Sequence, residues 1–171
     1  MSEPIQDKIK RSLQAADGLY HRLVLLVGES GSGKTNVLRD VAADFDAKVI
    51  NINLTLSAEL LELTAKQRVL RLPGLLDQIV NKAKTTIFLD NLEILFNKDL
   101  KQDPLRLLQS ISRNRSVVAS WNGRKLRGKL IYAELDHPEY RVYDTDDMLI
   151  VCMDGTTTID FEKNLRKAGK A

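Results

Sequence analysis

The residues Gly28-Glu29-Ser30-Gly31-Ser32-Gly33-Lys34-Thr35 fit the pattern G-x-x-x-x-G-K-[ST], a spacing suited to wrapping phosphate. Glycines let the backbone curl with its N–H groups facing inward, and a helix starting at Lys34 adds the positive end of its dipole. Lys34 is placed to reach the β- and γ-phosphates, and the Thr35 hydroxyl to ligate Mg²⁺. The motif implies a bound nucleoside triphosphate, with ATP as the expected cofactor. Asp90 ends the apolar run Thr86–Asp90 and has the position of a carboxylate that holds the bridging Mg²⁺. Hydrolysis also needs a group that takes a proton from water. Asn91 can hydrogen-bond that water but cannot accept its proton. Glu93 is the nearest carboxylate, and is either that base or a solvated loop residue.

The elements that must position these residues are legible from periodicity. Leu23–Val27 is an unbroken apolar run, as in a strand buried on both faces, and Val37, Leu38, Val41, Ala42 and Phe45 recur at helical spacing. Ile5 to Ala16 forms an amphipathic helix ended by Asp17-Gly18. Lys48–Asn53 reads as a second strand. A helical region follows from Ser57, an expected N-cap, to Lys84, divided by Arg71-Leu72-Pro73-Gly74. Asp103-Pro104 predicts the start of a helix with Leu105, Leu108 and Ile111 on its apolar face. Ser116–Trp121 is the next strand, with Asn122-Gly123 as its exit turn. Leu130–Leu135 and Tyr140–Tyr143 predict one hairpin, Met148–Met153 and Thr156–Ile159 another across Asp154-Gly155, and Phe161–Ala168 a short basic helix.

Alternating strands and helices predict an α/β fold, a three-layer P-loop NTPase with a mainly parallel sheet and β-hairpin additions near the C-terminus. The expected organisation is a single domain over 171 residues: a helix over 1–18, a nucleotide-binding core over 19–129, and a hairpin region with a short helix over 130–171. Ligands of such sheets bind at the carboxyl ends of the strands. Gly28, Asp90 and Asn122 each follow an apolar strand and therefore share one edge.

Composition limits the alternatives. With 43% hydrophobic and 29% charged residues, the chain reads as an ordinary globular protein. A single cysteine excludes a disulfide framework, no apolar leader follows Met1, and no run is long enough to span a membrane. A cytoplasmic protein is expected. The net charge of +3 is unevenly placed. Arg106, Arg113, Arg115, Arg124, Lys125, Arg127 and Lys129 occupy a stretch free of acids, whereas Arg141 is the only basic residue from Glu134 to Glu162. Such polarity suits DNA contact, an oppositely charged neighbouring protomer, or a solvated face.

A strand between the phosphate loop and Asp90 resembles the additional-strand ATPases, which include the AAA+ and RecA-like families. That resemblance implies a glutamate after Asp90, where Asn91 stands, and so slow hydrolysis or another base. It also implies that Asn122, with Ser120 before it, is the polar sensor touching the γ-phosphate or lytic water. Arg127 or Arg124 would then serve as an arginine finger in a neighbouring subunit. Together, Val27–Thr35, Phe88–Phe96, Val117–Gly123 and Leu130–Tyr143 resemble the BrxF family of type III BREX (bacteriophage exclusion) systems. This implies an ATPase or ATP-dependent switch in a bacterial anti-phage assembly. Its partners would be other phage-exclusion proteins (a large ATPase, a DNA methyltransferase and a phosphatase-like protein). The chain departs from full AAA+ modules in leaving no room for a helical lid, so a homo-oligomer or hetero-complex is expected to complete the site. A small-molecule kinase and a non-hydrolysing nucleotide-dependent adaptor remain the alternatives.

Overall fold

In the computed structural model, residues 3–82 and 86–159 are described. Five parallel strands form the central sheet: β1 (Leu23–Gly28), β2 (Val49–Asn51), β3 (Ile87–Asp90), β4 (Val117–Leu126) and β7 (Leu149–Cys152), in the order β2-β3-β4-β1-β7. Two further strands, β5 (Lys129–Tyr132) and β6 (Arg141–Asp144), extend β4 as an antiparallel ribbon. The helices α1 (Ile5–Ala16) and α2 (Lys34–Asp44) cover one face, where Ile9, Leu13, Leu38 and Val41 pack on Val24, Leu26 and Phe88. The other face is covered by α3 (Ile52–Leu60), α4 (Ala65–Asn81) and α5 (Pro104–Ile111), through Leu56, Leu76, Ile79 and Leu108. The α/β architecture expected from the sequence is thus observed, and no helical lid lies among the described residues.

Several local expectations are corrected. Ser57 lies inside α3 rather than capping a helix; the caps are Asn51, which accepts from Leu54 N–H, and Thr64, which forms a capping box with Gln67. The helical region divides before Thr64, and Pro73 sits within α4. Proline has no N–H for the carbonyl four residues earlier, which is Val69. Gln102 Nε2 donates to that Val69 oxygen at 2.9 Å, so the proline leaves no acceptor orphaned. Asn122-Gly123 is not a turn, because β4 runs on to Leu126. The chain reverses instead at Arg127-Gly128, whose φ values of 50° and 75° match the two left-handed positions of a tight hairpin. Met148–Met153 supplies β7, which pairs parallel to β1, and the expected partner strand reduces to one bridge, Val151–Thr157. The expected basic helix over 161–168 lies outside the described residues.

The β4 extension is tied to the core by aromatic packing. Phe96 stacks on Tyr132 at a centroid distance of 3.5 Å, and Trp121 meets Phe96, Tyr132 and Tyr143 edge-on. Burial pushes both Tyr132 and Tyr143 up to a pKa of about 12, and Tyr143 donates its hydroxyl proton to Asp103 at 2.9 Å. Trp121 Nε1 donates to the Ile131 carbonyl at 3.2 Å. That carbonyl occupies the space a side chain at Gly123 would need. Gly123→Ala is therefore expected to lower stability by about 2–3 kcal/mol, the cost of overpacking against unyielding backbone. Urea unfolding of the two proteins checks it, and an unchanged midpoint would contradict the contact.

The uneven charge is largely matched within the fold. Arg124 faces Glu134 at 3.3 Å, Lys129 pairs with Asp144, and Arg115 lies 3.8 Å from Asp77. Arg113 sits over the Tyr20 ring at 4.7 Å. The ribbon places the basic stretch beside the acidic one.

Candidate functional site

The phosphate loop joins β1 to α2. Gly31 and Gly33 take φ values of 81° and 95°, where a side chain is strained. A Cβ on Gly28 would lie 2.6 Å from Ser32 Oγ and 2.7 Å from Met153 Cγ. Met153 thus supports the loop from behind, and its N–H bonds Val27 O at 2.8 Å. Glu29, Ser30, Gly31, Ser32 and Gly33 face solvent. Lys34 is only 6% exposed, and its Nζ donates to Gly28 O at 2.8 Å and Glu29 O at 2.7 Å. Burial lowers its pKa, while the charges of Asp90, Glu93 and Glu29 act in the opposite direction. A dehydrated ammonium of this kind gains strongly from an arriving anion.

Asp90, 4% exposed, ends β3 beside this loop. The Thr35 hydroxyl donates to its Oδ2 at 2.6 Å, and the Ser120 hydroxyl donates to its Oδ1 at 2.6 Å. With its proton on Asp90, Thr35 keeps an oxygen lone pair for a cation. Register places Gly28 opposite Asn122 on β4, and Asn51 opposite Asp90, so the expected shared edge is present.

Glu93 opens a 3-10 turn (Glu93–Phe96) directly over that edge. Asn122 Nδ2 donates to its Oε1, and Asn53 Nδ2 donates to its Oε2 at 2.9 Å. Asn53 is in turn fixed: its Oδ1 accepts from Ile94 N–H at 2.7 Å, and its own N–H bonds Asn91 O at 2.9 Å. Sequence reasoning missed Asn53, which carries no motif: the sequence pattern makes it the last residue of a strand, whereas β2 ends at Asn51 and Asn53 lies in the first turn of α3. Glu93 is thus half-buried, with both carboxylate oxygens hydrogen-bonded. Asn91 sits at φ 56°, a left-handed conformation that asparagine tolerates better than glutamate. Its side chain makes no hydrogen bond among the described residues, and its contribution is the carbonyl that anchors Asn53.

The arginines part company. Arg124 and Lys125 line a cleft of about 250 Å³ together with Gly28, Glu29, Ser32, Met153 and Asp154, so Arg124 lies beside this chain's own loop. Arg127 occupies the exposed β4–β5 turn and makes no ion pair among the described residues.

The donors present fit a magnesium-bound nucleoside triphosphate. Thr35 and Asp90 offer hard oxygen donors of the kind Mg²⁺ takes, the left-handed backbone at Gly31 and Gly33 lets the loop curl, and Lys34 supplies the cation.

No curated protein matches the chain. Among solved structures it is similar to C. elegans PCH-2, with 17% identity and a TM-score of 0.42, over 69% of this chain and 36% of that one. The chain thus spans little more than a third of that protein. Residues 24–121, from β1 through the first half of β4, match the family model described as ATPase family associated with various cellular activities. That stretch is over half of the chain and holds the phosphate loop, Asp90 and Glu93: the protein belongs to the AAA family.

Proposed function

We propose that this chain is a slow or partner-stimulated ATPase, working as an ATP-dependent switch within a multiprotein bacterial anti-phage system. The observation that carries the reading is the clamping of Glu93 between Asn53 and Asn122 at the edge that holds the phosphate loop. Lys34 and the loop N–H groups would bind the phosphates. Thr35 and Asp90 would hold Mg²⁺, which when bound neutralises charge on the β- and γ-oxygens. Glu93 would orient a water and accept its proton, with Asn122 close enough to touch the same water. Both Glu93 oxygens already accept amide hydrogen bonds, so a water must compete with those donors. Release of one asparagine would open a carboxylate oxygen to water, and turnover would then wait on that movement. That clamp also favours the adaptor as second reading, in which nucleotide is bound and never cleaved.

The anti-phage assignment is supported by the likeness of the four quoted segments to the BrxF family, and it brings phage-exclusion proteins as partners. Arg127, exposed at the tip of the ribbon, is the residue suited to reach a neighbour's phosphates. Phosphate release should be slow for the chain alone and rise on adding its partner proteins. Mixing Arg127→Ala with Lys34→Ala subunits should restore part of the turnover that each has lost. Full activity in a strict monomer would refute the trans arrangement, and zero turnover under every condition would leave the adaptor. DNA binding with a steep salt dependence would assign the ribbon to nucleic acid.

A further inference from the structure

Two hydroxyls share the Asp90 carboxylate, and only one belongs to the phosphate loop. The other is Ser120, on β4, whose Oγ donates to Oδ1 at 2.6 Å while Thr35 donates to Oδ2 at 2.6 Å. Ser120 and Asp90 are each 4% exposed, so water has little access to replace either contact. A carboxylate turns easily about its last torsion, which has broad, roughly two-fold minima. Buried beside the Lys34 charge, an Oδ1 that had lost its donor would be drawn away from its present direction. Ser120 and Asn122 also lie two residues apart on one strand, and therefore on the same face. One strand thus addresses both carboxylates, Asp90 through Ser120 and Glu93 through Asn122.

We propose that Ser120 is a positioning residue for the cation site: by holding Asp90 Oδ1 it keeps Oδ2 turned towards Thr35 and the Mg²⁺ those two residues would share. The inference rests on the magnesium-nucleotide reading above and adds to it a residue that contacts neither nucleotide nor metal.

The test is a Mg²⁺ titration of the full chain with a fluorescent, non-hydrolysable ATP analogue, comparing wild type, Ser120→Ala and the near-isosteric Ser120→Cys. Loss of a partner that orients a metal ligand costs roughly 10- to 100-fold in metal affinity, so the Mg²⁺ midpoint of Ser120→Ala should rise by about that factor. Analogue affinity in EDTA should stay at the wild-type value. Ser120→Cys, whose thiol is a weak donor, should fall between the two, and it carries the test should the alanine variant lose its circular-dichroism signature. An unchanged midpoint would overturn the proposal. So would equal weakening with and without Mg²⁺, which would make Ser120 a packing residue. If the wild type shows no Mg²⁺ dependence at all, the magnesium-nucleotide reading falls with it.

Discussion

Lys34→Ala should abolish tight ATP binding. The ammonium is held at the loop by two carbonyls, those of Gly28 and Glu29, and burial has already stripped most of its water. An incoming phosphate takes over a cation whose desolvation cost has been met on folding, so the charge-assisted contact forms at nearly full strength. Its loss should cost about 2 kcal/mol or more, at least about 30-fold in affinity. The alanine variant also unties Gly28 from Glu29, which loosens the cradle in the absence of nucleotide. Calorimetry with ATP and ADP checks this. Equal affinity for the variant and the wild type would remove the basis for a nucleotide site here.

Glu93→Gln should spare ATP binding and cut turnover by about 100- to 10,000-fold, the range over which a general base contributes. The replacement keeps the length of the side chain but offers one carbonyl oxygen where Asn53 and Asn122 now donate to two. One asparagine must therefore turn away, and single-turnover measurement separates this rearrangement from loss of substrate. Asn91→Glu should not rescue the variant. Position 91 holds a left-handed backbone at φ 56°, which costs a β-carbon residue of ordinary type roughly 1–3 kcal/mol. A silent Glu93→Gln together with an inactive Asn91→Ala would instead make Asn91 the group that positions water.

Motifs that are contiguous in the chain were legible from the sequence. The phosphate loop, the buried strand before it and the helix after it are each specified by neighbours, and Asp90 by the apolar run it ends. The pairing of Glu93 with Asn53 spans 40 residues and appears only when β2 and β3 lie side by side. The Asn122-Gly123 dipeptide misled for a related reason. Its local turn preference is overridden because β4 has partners on both sides, and because Gly123 is needed for the approach of the Ile131 carbonyl rather than for a turn. Likewise Asp154-Gly155 does form a turn, but β7 finds its pairing partner in β1, more than a hundred residues earlier in the chain. Arg124 carried the same ambiguity as Arg127 in sequence, and the register of the ribbon alone sends the two to different places.

Pro73 and Gln102 constrain how this sequence can change over time. The proline is tolerable within α4 because a side chain 29 positions later caps the carbonyl it leaves open, and Gln102 is itself held through its own carbonyl by Arg141 Nη2 at 2.9 Å. Loss of Gln102 while the proline is present strands a backbone acceptor, whereas loss of the proline first makes the glutamine dispensable to the helix. Of the two mutational orders that lead from this pair to an ordinary helix, one passes through a weakened intermediate and the other does not. Drift at these two sites is therefore directional, with position 73 free to move before position 102 and not the reverse.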